Sequence, residues 1–179
     1  FDRASGQHGG EQLVVLDRAE QQFTYPGFAT CPVLSINRGF SAPVAIDADQ
    51  SAADLVFLAG HDDDPFARYE AMQQLVVQHL VAAIGGGMLC DAERQAGREA
   101  IRGALAAVIA DPALDDLMRG ELLILPGEAY LAEQFLVADP GAIHAEREAL
   151  KAWLGASLKA ELRELHARAS AVPYSLAAE

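Results

Sequence analysis

The chain has 179 residues, 51% of them hydrophobic, which is enough for one domain or two small ones and far too apolar for intrinsic disorder. Its 26 acidic residues outnumber 13 basic ones, and a net charge of −13 repels phosphate backbones and anionic lipid. Neither nucleic acid nor a membrane is therefore expected as a partner, and no apolar run approaches the roughly 20 residues a membrane span needs.

Phe1 to Gly10 is polar and Gly-rich, a loop without the features of a signal peptide. With no initiator Met ahead of it, a fragment of a longer polypeptide is expected. Leu13-Val14-Val15-Leu16 suits a strand, Asp17-Arg18-Ala19-Glu20 a turn, and Gln21 to Tyr25 a returning strand with Phe23 and Tyr25 on one face. Pro26-Gly27 breaks that hairpin, and Val33 to Phe40 and Val44 to Ile46 supply one or two further strands. The expected total is roughly three to four strands ahead of about residue 47. So few strands are marginal alone, and they read as part of a larger sheet.

Asn37-Arg38-Gly39-Phe40-Ser41-Ala42-Pro43-Val44 is the seam at which the pattern changes. Pro43 lacks a donor and pushes Ala42 towards extended geometry, while Gly39 permits a bend. Beyond it the period becomes helical, with roughly five or six helices expected. Ser51 is positioned to cap a first helix carrying Leu55, Val56, Leu58 and Ala59. Asp64-Pro65 opens a second, which runs to Gly85-Gly86-Gly87, and a third spans about Asp91 to Ala110. Asp111-Pro112 is expected to cap a fourth with Leu114, Leu117, Met118, Leu122 and Leu125 apolar. A short fifth covers Glu128 to Phe135, and Asp139-Pro140 opens the longest, with Ile143, Leu150, Trp153, Leu154, Leu158, Leu162 and Leu165 on one face. Asp64, Asp111 and Asp139 should each accept from a backbone amide two or three residues on. The chain thus reads as mainly α: a small N-terminal antiparallel β portion over 1–47, then a stacked, superhelix-like helical domain over 48–179.

No residue set assembles into a catalytic, cofactor-binding or metal site. His61-Asp62-Asp63-Asp64 lacks the alternate ligands, mid-loop Gly and terminal Glu of a calcium loop, and helix capping accounts for it. None of the histidines at 8, 61, 79, 144 and 166 is followed by Glu, so the H-E-x-x-H zinc helix is absent. His79 reads as a hydrogen-bonded packing residue, and His144 and His166 as members of a charged, solvated face. Gly85-Gly86-Gly87 has no following G-K-[ST] and reads as a helix connection. There is no G-x-S-x-G elbow, and Tyr69, Tyr130 and Trp153 stand at core-packing positions. Cys31 and Cys90 are in no zinc or redox spacing and read as reduced thiols of a cytoplasmic protein.

Several ordered stretches nonetheless carry a resemblance. The seam is similar to an R-x-F-S-A-P-V stretch, and His61-Asp62-Asp63-Asp64-Pro65-Phe66-Ala67-Arg68-Tyr69-Glu70-Ala71 to D-x-F-x-R-W-[DE]-A, with Tyr69 in place of Trp. Asp111-Pro112-Ala113-Leu114, Leu125-Pro126, Ala138-Asp139-Pro140 and Arg147-Glu148-Ala149-Leu150 follow in matching order. From about Glu11 to Tyr174 the chain resembles the bacterial aminopeptidase N family of zinc metallopeptidases. The resemblance implies the end of that family's β-sandwich joined to the first part of its α-helical domain. Its zinc helix and its G-x-M-E-N amine grip would lie upstream, and Gly86-Gly87-Met88-Leu89 is no such grip. No site residue carries over: the implied segment holds no cofactor, whereas the parent would hold zinc and cleave peptides. The implied partners are the remaining domains of the parent and its peptide substrates, with self-association of the truncated chain through uncovered leucines. The rival reading is an independent helical interaction module with a small β cap.

Overall fold

In a computed structural model, residues 1–2, 9–28, 30–44, 46–85 and 89–171 are described. Seven helices are seen among them: α1 (Ala52–His61), α2 (Pro65–Ile84), α3 (Asp91–Ala110), α4 (Asp116–Leu122), α5 (Glu128–Ala132), α6 (Pro140–Ser157) and α7 (Lys159–Ser170). A short 3-10 turn, Arg38–Phe40, precedes them.

The helix starts follow local chemistry. The Ser51 hydroxyl accepts from the Asp54 amide at 3.2 Å while the Asp54 carboxylate accepts from the Ser51 amide at 3.1 Å, a reciprocal capping box. Asp64 accepts from the Ala67 amide at 2.8 Å ahead of Pro65, and Asp139 from Gly141 and Ala142 at 2.9 and 3.1 Å ahead of Pro140. Asp64→Ala should lower stability by about 1 kcal/mol, the usual loss on deleting a cap. Asp64→Asn should lose less than Asp64→Ala, because its amide oxygen can still accept from Ala67, although its nitrogen cannot accept from the Gly39 amide as the second carboxylate oxygen does. Urea unfolding of the two variants side by side checks this, and equal losses would show that the charge matters more than the cap.

Asp111 does not cap the fourth helix. It closes α3, and the N-cap of α4 is Asp115, whose side chain accepts from the Met118 amide at 2.8 Å. The reason is competition. One Asp111 oxygen accepts from the Ala113 amide at 2.9 Å in a tight side-chain turn, and the other takes a guanidinium from Arg68 at 2.9 Å. Arg119 donates to the carbonyls of Asp111 and Leu114, both at 2.7 Å, and holds residues 111–115 as a turn.

The longest predicted helix is also divided, at Leu158 (φ −107°, ψ 20°). Hydrogen bonds from the Leu158 amide to Leu154 (2.8 Å) and from the Leu162 amide to Leu158 (2.9 Å) continue on either side, so the element bends while staying paired. The bend keeps both α6 and α7 against α3. Leu154 and Leu158 are consequently buried, and Leu162 and Leu165 pack half-buried on the same core. The leucine stripe expected to lie uncovered is therefore buried at Leu154 and Leu158 and half-covered at Leu162 and Leu165.

The β portion differs most. No strand occurs among the described residues, and Leu13, Val15 and Leu16 are 82, 70 and 73% exposed. Two apolar runs gain little from pairing when no layer covers them, so the hairpin does not form. Among the described residues Phe1 and Val33 exchange both backbone hydrogen bonds in a strand-like pair, at 2.7 and 2.9 Å. That pair is anchored by Phe1, whose ring meets Phe57 edge-on at 6.0 Å.

α2 is the hub. It touches α1, α3, α4, α5, α6 and the 38–40 turn, and its Met72, Leu75, Val76 and Leu80 are buried with Leu55, Leu58, Ile101, Leu105, Val108, Ile143 and Leu150 in one continuous core. Where α2 meets α3, the His79 ring lies directly over Gly97: a Cβ at 97 would stand 2.4 Å from His79 Nδ1. Burial first, and then the nearby Arg98 and Arg94, hold His79 below the ordinary histidine value against the opposing pull of Glu146.

Candidate functional site

Two of the stretches that carry the family resemblance, the seam and the acidic run, meet in space. Arg38, in the turn after Asn37, donates from Nη1 to Asp62 at 2.6 Å and from Nη2 to Asp63 at 2.7 Å. Its Nε stands 3.7 Å from Glu11, and Ser35 accepts a longer bond of 3.4 Å. The next residue, Gly39, donates its amide to the second Asp64 oxygen at 2.9 Å, and Phe40 lays its ring on Phe66 with centroids 5.1 Å apart. The acidic run 62–64 thus serves the turn as well as the helix. Partial burial works against the Arg38 charge, but Asp63, Asp62 and Asp64 more than offset it and raise its affinity for the proton.

The turn itself is held in uncommon geometry. Asn37, Gly39 and Phe40 have φ of 54, 61 and 52°, the left-handed region that a ring-bearing residue seldom adopts. Asn37 braces it from inside, accepting from the Ala42 amide at 2.9 Å and donating to the Ala42 carbonyl at 3.0 Å.

Beside this joint lies a cleft of about 270 Å³ between the 35–50 segment and α2, with Tyr130 of α5 also in its lining. Asn37 and Phe40 line one wall, Phe66, Glu70 and Gln74 the other. Burial pushes the Glu70 carboxyl above the usual carboxylate range. Glu70 and Tyr130 are the titratable groups among the described lining residues, so the cleft can bind a small polar group but offers no nucleophile with an adjacent base.

The described histidines are engaged separately from one another. His61 stacks on Phe57 at 4.5 Å, His79 covers Gly97, His144 contacts Glu128 at 2.8 Å and His166 is beside Ser170. Among the described residues no three His, Cys, Asp or Glu side chains converge on a point where a metal ion could sit. His8 and residues 86–88 lie outside the described residues. Tyr69 and Trp153 pack partly buried on the core, and Tyr130 is 47% exposed. The sequence reading passed over Arg38, Arg68 and Glu70 as working residues. A lone arginine beside a left-handed Asn-x-Gly, opposite a triple aspartate, was the available signal for the first.

Residues 52–179 match the family model described as a domain of unknown function with ARM repeats (DUF3458_C). The chain belongs to the DUF3458_C family. Residues 1–49 match the companion DUF3458 model, described as an Ig-like fold, and the two models together make up the C-terminal region of aminopeptidases of this kind. The DUF3458_C chain is similar to aminopeptidase N of Caulobacter vibrioides, 36% identical over 155 residues that cover 87% of it and 17% of that protein. Aminopeptidase N of Escherichia coli is 30% identical over 166 residues, covering 90% of the chain and 18% of the relative. In three dimensions the chain superposes on Legionella pneumophila aminopeptidase A, solved in complex with aspartic acid, with a TM-score of 0.78 and 25% identity, covering 92% of the chain and 19% of that structure. The chain therefore spans less than a fifth of the length of these relatives, and the resemblance to aminopeptidase N read from its motifs holds over most of its length. No helix among the described residues is long and apolar enough to cross a membrane.

Proposed function

We propose that this chain is a non-catalytic segment of a cytoplasmic, zinc-dependent aminopeptidase N, a hydrolase whose whole polypeptide removes N-terminal residues from peptides. Residues 1–47 would close its β-sandwich, and residues 48–179 would begin its α-helical domain, acting as scaffold and as part of the wall that limits access to the active site. The observation that carries this reading is the 36% identity to a 17% slice of an aminopeptidase N. Three features accord with it. The apolar residues exposed in the 13–16 stretch would find cover against sandwich strands supplied by the rest of the polypeptide. A hollow of about 160 Å³ lined by Leu105, Leu123, Leu125 and Leu162 suits the seating of a further repeat, since stacked repeats cover one another. The free thiols of Cys31 and Cys90 suit a reducing compartment.

Zinc and the chemistry of hydrolysis would belong to other parts of such a parent, a reading supported by the lack of three converging donor side chains among the described residues. The purified chain should contain no stoichiometric zinc by elemental analysis and should leave alanyl-anilide uncleaved. Tightly held zinc together with chelator-sensitive turnover would sink this assignment. Self-association would proceed through the exposed 13–16 stretch, and a sizing column reads it separately.

A further inference from the structure

We propose that the Arg38 joint is a latch that locks the N-terminal segment onto the helical domain, and that neutralising it releases the segment and opens the adjacent cleft while the helices stay folded. This goes beyond the peptidase reading and does not depend on it.

The bonds that cross the joint are concentrated in three consecutive residues: the Arg38 fork to Asp62 and Asp63, the Gly39 amide to Asp64, and the Phe40 ring on Phe66. Further contacts of the N-terminal segment include the Phe1–Val33 pair, buried in the helical core against Phe57, and Gln50, whose side chain donates to the Leu34 carbonyl at 2.8 Å. Residues 11–25 are almost wholly exposed. The backbone at Asn37 and Phe40 is in a sparsely populated region, and such geometry persists only where its surroundings over-determine it. Release would let both residues relax, so the strain favours the open form and the ionic contacts favour the closed one.

Asp62 makes the choice two-state. Its side chain is 0% exposed, and its Oδ2 accepts no hydrogen bond among the described residues. Its hydrogen-bond partners are Arg38 and the Asp64 amide, which share the other oxygen at 2.6 and 2.9 Å. A half-withdrawn Arg38 would leave a buried carboxylate without its cation, which is more costly than either the closed pair or a hydrated, open one. Asn37 and Phe40 form one wall of the cleft and Phe66 and Glu70 the other, so movement at the latch changes the cleft directly.

The chain supplies its own reporters. Cys31 and Cys90 are both exposed and free, one in the N-terminal segment and one at the start of α3. Spin labels on these two thiols, read by pulsed dipolar spectroscopy on the full chain, should give a narrow distance distribution. Arg38→Met and Asp62→Asn should each broaden it about two-fold or more, with helical circular dichroism and melting of α1–α7 retained. Asp63→Asn, which removes the exposed limb of the fork and keeps the buried one, should broaden it less. A distribution as narrow in Arg38→Met and Asp62→Asn as in the parent would overturn the latch. Broadening accompanied by loss of helical signal in all three variants would overturn it too, because the segment and helices would then be one cooperative unit.

Discussion

Leu80→Ala should destabilise the chain by about 3 kcal/mol, within the roughly 2–5 kcal/mol range for deleting a buried leucine side chain. Leu80 is 0% exposed and sits on α2, the helix that touches five of the other six helices. Truncation removes three carbons from water-free contact and leaves a cavity that α1, α3 and α6 cannot collapse without giving up contacts of their own. Leu117→Ala is the matched control: at 78% exposure it should change stability by less than about 0.5 kcal/mol. Urea midpoints with an unchanged slope read both. A loss below about 1 kcal/mol at Leu80 would mean that α2 is not the packed centre.

Arg68→Met should cost about 3 kcal/mol, with a pH signature that a packing defect would not share. Arg68 lies under α1 and α3, donating from Nε to the Ala59 carbonyl at 2.8 Å and from Nη2 to Asp111 at 2.9 Å. Methionine keeps the aliphatic stem and removes the charge, leaving the carbonyl without that donor and Asp111 without its cation. The hydrogen bond from Arg68 first, and the Ala113 amide second, hold the Asp111 carboxyl below the ordinary value. A depressed carboxyl contributes stability that is present above its unfolded value, about 3.9, and is lost as pH falls through the folded one. The variant lacks most of that contribution. The gap between parent and variant should therefore be widest near about pH 7 and should narrow towards about pH 3. A gap that stays constant across that window would assign the loss to packing alone.

What could be read from the sequence divides along the range of the forces involved. Ser51, Asp64 and Asp139 were legible as caps because a cap is settled within three or four residues, by a short polar side chain and a Pro or Asp at a fixed offset. Asp111 offered the same dipeptide and did not cap, since Arg68, which is 43 residues away in sequence, and Arg119 claimed its side chain and carbonyl. The bend at Leu158 escaped notice for a related reason: the leucine period runs through it unbroken, and only α3 shows why both halves must face one neighbour. The strands do not form among the described residues because period-two alternation specifies a half-buried surface, and nothing there buries it, although residues 1–49 match an Ig-like family model. The cleft had no local signal at all. Its walls come from residues about 30 apart, and Glu70 looks like any exposed helical glutamate until the seam folds over it. Family motifs were more informative than chemistry here, because stretches that resemble the family also touch in pairs: the seam with the acidic run, Arg68 with Asp111, and Arg147 with the Pro126 carbonyl.

The close approach of His79 to Gly97 has an implication for how this helical pair can drift in sequence. A side chain at 97 requires the imidazole to turn away from its place over the helix, although glycine in mid-helix forgoes about 1 kcal/mol relative to alanine. With a small residue at 79 that conflict disappears, and alanine at 97 becomes the better choice because it stiffens α3. The two positions are therefore coupled, and neither has a preference that can be stated without the other. Across descendants of this chain a large residue at 79 should travel with glycine at 97, and a lineage that loses one is free to lose the other.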